Sequence, residues 1–145
     1  PAGIVQRRLT FTHDHAFPGL VNQPRHWVRS NPTAAEIAFL MRDDNGIVQL
    51  WLISPQGGEP RQLTRCDTDI QSAFNWHPSG KWLGFVLQNR IACCDAQTGE
   101  IEFLTTSHGN PPSADAIVFS PDGRQVAWME DVDGFRQLWV TETGR

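Results

Sequence analysis

Three histidines stand near one another early in the chain. His13 and His15 fall in Thr12-His13-Asp14-His15-Ala16-Phe17-Pro18-Gly19, and His26 follows Arg25. In an extended segment, residues two apart project to the same side. His13 and His15 therefore form a pair of imidazole donors that His26 can approach. Neutral imidazole suits Mn, Fe or Zn, which makes His13, His15 and His26 the candidate metal ligands and a divalent metal the candidate cofactor. The same segment also reads as a polar surface loop with solvated histidines, because no carboxylate or Cys stands at ligand spacing to them.

The other chemistry-bearing residues have structural readings beside them. Asp43-Asp44-Asn45-Gly46 and Asp131-Val132-Asp133-Gly134 resemble calcium loops but lack the glutamate that ends a twelve-residue site. Both fall where a hairpin turn is needed, and Asp, Asn and Gly are turn residues. Cys93 and Cys94 point to opposite faces of one strand, and no C-x-x-C spacing links them or Cys66, so free, buried or half-buried thiols are expected. Free thiols lean toward a reducing compartment. Arg25, Arg29 and Arg42 either line a channel for an acidic oligosaccharide or are ordinary surface charges. No Gly-x-Ser-x-Gly elbow and no phosphate-cradling glycine loop is present, so no catalytic residue is assigned.

Composition narrows the partners. The formal net charge is −4, and Arg7-Arg8 is the longest basic run. Nucleic acid and anionic membrane are therefore poor partners. No apolar stretch reaches the roughly 20 residues that span a bilayer. Six Trp and eight Phe, without a single Tyr, supply large surfaces to bury. The chain opens at Pro1 with no signal peptide in view. That suits a segment cut from a longer protein and leaves cytoplasm and periplasm both open.

Self-similarity identifies the elements that must position these residues. Pro32, Pro78 and Pro121 lie 46 and 43 residues apart. After them come Ile37-Ala38-Phe39, Leu83-Gly84-Phe85 and Val126-Ala127-Trp128, with an aliphatic, a small and an aromatic residue at the same offsets. Leu50-Trp51-Leu52 matches Leu138-Trp139-Val140, while the second unit has Ile91-Ala92-Cys93 there. Leu63-Thr64 and Leu104-Thr105 close two units, and Leu9-Thr10 reads as the end of another.

Each unit divides into four short strands. In the first they fall near 26–30, 36–42, 48–54 and 60–64, with breaks at Asn31-Pro32, Asn45-Gly46 and Gly57-Gly58. Asn-Gly between apolar runs predicts a type I′ hairpin, which needs positive φ at both central residues. The second strand of each unit is apolar almost throughout, so both its faces must be covered. Stacked sheets supply that cover, and the small residue leaves room for an aromatic of the adjoining sheet. Trp51 and Trp139, at equivalent positions, are expected in the core.

Ser120-Pro121-Asp122-Gly123, Val126-Ala127-Trp128 and Gln137-Leu138-Trp139 together resemble the TolB-type propeller repeat, the WD40-like Pro-Asp repeat. Gly57-Gly58-Glu59-Pro60-Arg61-Gln62-Leu63-Thr64 looks like the end of that repeat, and Trp76-His77-Pro78-Ser79-Gly80 like a variant of its first motif, in which His77 hydrogen-bonds the turn. The likeness runs from Trp27 onward, and the whole chain resembles the C-terminal part of uncharacterised enterobacterial proteins with these repeats. It implies an all-β partial β-propeller of about three four-stranded antiparallel blades. The expected division is an outer strand of a preceding blade at 6–10, blades at 26–65 and 70–107, and an incomplete blade at 114–145. Three blades are too few for a ring of the usual ~4–8. The chain is then a segment of a larger ring, or half of a homodimeric six-blade ring that forms because open edges seek partners. The same blades occur in the periplasmic Tol-Pal component, in oligogalacturonate lyases and in prolyl-oligopeptidase-like peptidases, and fold alone does not choose among them. The expectation is a non-enzymatic binding or scaffold module with a protein partner or the remaining blades. The alternative is a carbohydrate-active propeller, resembling oligogalacturonate lyase, with a metal at its channel.

Overall fold

The computed structural model describes residues 3, 6–10, 27–107, 110–115 and 117–145; His13, His15, Arg25 and His26 lie outside these residues. The described part is all β. Its first sheet comprises β1 (Val28–Ser30), β2 (Ile37–Arg42), β3 (Val48–Ile53) and β4 (Arg61–Gln62). The second comprises β5 (Asn75–Trp76), β6 (Trp82–Leu87), β7 (Arg90–Asp95) and β8 (Ile101–Phe103). The third has β9 (Val118–Phe119), β10 (Gln125–Val132) and β11 (Phe135–Glu142). Strands neighbour one another in chain order, all antiparallel. Residues 6–10, expected as an outer strand, carry no strand pairing, because no third strand of their own sheet lies beside them among the described residues.

Turn chemistry sets the registers. Gln88 and Asn89 both have positive φ (51° and 57°), as do Asp133 and Gly134 (51° and 83°), which gives two-residue connections between β6 and β7 and between β10 and β11. The expected type I′ turn at Asn45-Gly46 is not formed: there only Gly46 has positive φ, at 78°. The Asp43 carboxylate is the reason. Its Oδ1 accepts from the N–H groups of Asn45 (2.9 Å) and Ile47 (3.0 Å), and this side-chain cap holds Asn45 in the ordinary φ range.

Side chains from facing sheets make the core. Between the first and second sheets lie Ala38, Leu40, Leu50 and Leu52 against Phe74, Trp76, Leu83 and Phe85. Between the second and third lie Val86 and Ile91 against Ile117, Val126 and Trp128. The small residue does the work expected of it. A Cβ on Gly84 would overlap Ile117 Cδ1 and lie 2.6 Å from Phe119 Cζ, so the aromatic of the next sheet occupies the space of the missing side chain. Trp76, equivalent to Phe119 by register, packs in the same cluster as Ala38. Each fully buried Phe or Leu contributes roughly 1.5–3 kcal/mol.

One core expectation fails. Trp51 is buried, but Trp139 is 39% exposed. Trp51 packs with Phe39, Met41, Ile53 and Leu9 and has Gln62 of β4 beside it, whereas β11 ends its sheet and has no strand beyond it among the described residues.

Filling the Gly84 notch should force the second and third sheets apart. Gly84→Val is expected to destabilise the chain by about 1–3 kcal/mol, the usual cost of overpacking. Denaturant unfolding measures this, and Gly84→Ala should cost less.

Candidate interaction surface

The residue before each turn proline is Asn31, His77 or Ser120. The proline fixes its own φ and starts the β1–β2, β5–β6 or β9–β10 turn; the Asn31 and His77 side chains reach the next sheet, while Ser120 bonds Asp122 and Gln125 within its own turn. Asn31 Oδ1 accepts from the N–H groups of Thr33 (2.9 Å) and Ala34 (3.2 Å), while its Nδ2 donates to Gly80 O at 3.0 Å. His77 does the same one sheet further on. Its Nδ1 accepts from Ser79 N at 3.1 Å, which leaves the proton on Nε2, and Nε2 donates to Gly123 O at 3.0 Å. The ring stands edge-on to Phe119, centroids 5.2 Å apart.

The accepting glycines are constrained twice. Gly80 and Gly123 have φ of 69° and 75°, and a Cβ would overlap the Asn31 and Thr33 side chains in one case and the His77 ring in the other. Only glycine meets both demands. The innermost strands are tied as well: Trp76 Nε1 donates to Arg29 O at 3.1 Å, Arg29 Nε donates to Asn75 Oδ1 at 3.3 Å, and Asn75 Nδ2 donates to Ile117 O. Of the arginines considered for acidic sugars, Arg29 is thus engaged at a junction, and Arg42 pairs with Asp69 at 3.4 Å.

The buried polar and thiol groups also serve structure. Gln49 is fully buried; its Oε1 accepts from Thr64 Oγ1 (2.8 Å) and Cys66 N (3.0 Å), and its Nε2 donates to Cys66 O (2.9 Å) and Asp43 Oδ2 (3.1 Å). Cys66, Cys93 and Cys94 are free, the first half-buried and the others buried. Burial pushes the Cys93 thiol up to about 11 and Cys94 to about 12, and raises Cys66 more modestly. Thiols so held are poor nucleophiles. No group of three or more His, Cys, Asp or Glu is placed to hold a metal among the described residues. A cleft of about 430 Å³ between the first two sheets is lined by Glu36, Arg61, Lys81 and Asp95; Arg61 spans it, donating to Ala96 O at 3.0 Å and pairing with Glu36 at 3.7 Å.

What the described surface offers is apolar. Phe135 is 71% exposed, Leu138 77%, Val140 59% and Val118 59%. Cross-strand register puts Val118, Ala127 and Val140 in line on the face of the third sheet turned away from the second. Reading the sequence missed this patch, since the third unit carries the same apolar pattern as the buried ones.

No protein-family model matches the chain. The chain is 74% identical over all of its 145 residues to the Escherichia coli K12 protein called uncharacterized protein YidR, and spans 34% of that protein, in its C-terminal part. Among solved structures it matches a TolB-like protein from Agrobacterium tumefaciens at 26% identity and TM-score 0.64, over 83% of this chain and 44% of that one. It matches TolB from Acinetobacter baumannii at 20% identity and TM-score 0.60, over 79% and 29%. An oligogalacturonate lyase in complex with manganese matches at 16% identity and TM-score 0.55, over 69% and 27%. The fold is that of a TolB-type β-propeller, present as an unclosed run of blades.

Two measurements probe the junction and the core. His77→Ala removes the bridge to Gly123 and leaves a cavity, and is expected to cost about 2–4 kcal/mol; His77→Asn should recover part of this, since Asn31 makes the same bridge. The raised thiols bind their protons more tightly when folded than unfolded. Their stabilisation is therefore complete below the ordinary 9.0 and is lost as pH climbs from there toward 11–12, so the denaturation midpoint should fall across that range, and fall less in Cys94→Ala.

Proposed function

We propose that the chain is a non-enzymatic binding module, three blades of a TolB-type propeller that present an apolar surface to a protein partner. One contrast carries the reading. Among the described residues, His77 and Asn31 are spent on joining blades and two thiols are held protonated, while large apolar side chains such as Phe135 stand in solvent. Monomeric proteins rarely expose contiguous apolar patches without an interaction purpose. The module is tested by retention of proteins from a bacterial extract on the immobilised chain. Phe135→Asp, at an exposed hairpin position, should remove the specifically retained protein without changing the melting temperature. Identical retention by the variant would count against the reading.

A second reading is a carbohydrate-active propeller acting on acidic oligosaccharides with a divalent metal on His13, His15 and His26. It is supported by the shared fold of the manganese-bound lyase. Native mass spectrometry after exposure to Mn²⁺ distinguishes the two. One metal per chain, lost in His13→Ala, together with turnover of oligogalacturonides, would replace the binding module by the enzyme.

A further inference from the structure

The first and second sheets each have four strands, and the cleft of about 430 Å³ between them is lined only by residues from Asn31 to Gln97. The β1–β2 turn, the start of β4, the β5–β6 turn and the β7–β8 turn form its walls. At the next junction the same place is filled. Trp82 and Glu102 there hold the positions of Glu36 and Arg61. Asn31 N donates to Glu36 O as His77 N donates to Trp82 O, both at 2.8 Å. Arg61 faces Leu52 as Glu102 faces Cys93, Leu50-Trp51-Leu52 and Ile91-Ala92-Cys93 being equivalent. The Arg145 guanidinium lies 4.1 Å from the centre of the Trp82 ring and 2.7 Å from Glu102 Oε2. In the first junction the guanidinium belongs to the opposite wall, and the cleft stays open beside it.

The cleft holds two anions and two cations, and they are not equally satisfied. Glu36 pairs with Arg61 at 3.7 Å. Asp95 Oδ1 accepts from the N–H groups of Gln97 and Thr98, each at 2.8 Å, which keeps the carboxyl ionised below its ordinary range. The cations have capacity left. Arg61 donates from Nη2 to Ala96 O at 3.0 Å, while its Nε and Nη1 have no partner among the described residues. The Lys81 ammonium has none among them either and stands exposed. Its backbone is fixed, since Lys81 N donates to Ser79 Oγ at 3.3 Å and Ala96 N donates to Lys81 O at 2.9 Å. Guanidinium N–H groups match the two oxygens of a carboxylate, and an ammonium adds a second positive charge.

We propose that this cleft binds an acidic peptide, with one Asp or Glu carboxylate of the partner held between Arg61 and Lys81. Glu36 Oε2 and Asp95 Oδ2 accept no hydrogen bond among the described residues and are left to receive peptide N–H groups beside that carboxylate. A peptide answers both signs of charge, because its backbone donors alternate with its acidic side chains. No aromatic ring lines the cleft for a sugar ring to stack on. Glu36 and Asp95 would repel the successive phosphates of a nucleic acid. The site lies apart from the apolar face of the third sheet and does not depend on what that face binds.

The probe is a capped peptide of alternating Glu and Gly, compared with its Gln-Gly counterpart and with trigalacturonate. Each is titrated into the isotope-labelled chain and followed by backbone amide shifts. The Glu peptide should give saturable shifts at Arg61, Lys81 and Gln97, and the Gln peptide should bind about tenfold more weakly. Lys81→Gln, at an exposed position, should weaken binding about tenfold without moving the melting temperature, and Arg61→Gln by about as much. Phe135→Asp should bind the peptide like the wild type, which separates this site from the apolar face. Absence of saturable binding at millimolar peptide overturns the proposal. So does equal affinity for the Gln peptide, unchanged binding by Lys81→Gln, or shifts confined to residues outside the cleft. Tighter binding of trigalacturonate at the same amides overturns it in favour of a sugar site. If Arg61→Gln loosens the junction, Lys81→Gln decides.

Discussion

The hydrogen bond from the side chain before a turn proline to the carbonyl of the next turn's glycine is the constraint on which the stacking depends. Packing alone gives two sheets a broad choice of relative position, since apolar contact has no direction. A donor of fixed reach and an acceptor that cannot carry a Cβ remove that choice. With Asn31 on Gly80 and His77 on Gly123, the innermost strands come side by side, and Trp76 and Phe119 fall against the small residues Ala38 and Gly84. The notch and the bridge reinforce one another, because the ring fits the notch only at the spacing the bridge imposes.

The same economy explains the distribution of polar groups. A buried polar atom is costly unless paired, and here the pairs are placed where the chain must leave a strand. Gln49 holds the loop after β4 through Thr64 and Cys66 and also reaches the Asp43 cap. Asp95 stays ionised below its ordinary range because the backbone N–H groups of Thr98 and Gln97 point at it, and it shapes the β7–β8 turn. Charge and imidazole are used as joinery, and large apolar side chains such as Phe135 and Leu138 are left exposed.

Much of this was legible in the residues. The repeat of proline, small residue and aromatic located β2, β6 and β10, and the second-strand apolar runs required sheets on both sides. The small residue at Gly84 was read for its true purpose. The turn at Asn45-Gly46 was not, because a side chain two residues upstream, Asp43, outweighs the local preference of the dipeptide. Trp139 was misplaced for a different reason: a repeat reports what a position packs against in its complete copies, and β11 has no strand beyond it among the described residues. Asn31 escaped notice as a junction residue because an Asn before proline looks like ordinary turn chemistry, and its kinship with His77 is geometric, not visible in residue type. Of the candidate site, the three histidines fall outside the described residues, and the exposed patch is written in the same apolar pattern as the core.

The bridge is directional. The second sheet gives a donor forward from His77 and offers the Gly80 carbonyl backward, so one unit of this kind contains what is needed to join a copy of itself. A gene segment encoding one blade can be duplicated in tandem and the extra blade will dock with no new interface to invent. Lineages carrying this device are free to gain or lose blades, and ring size becomes a matter of copy number and curvature. Residue identity at the donor can change from Asn to His, provided the glycine opposite stays.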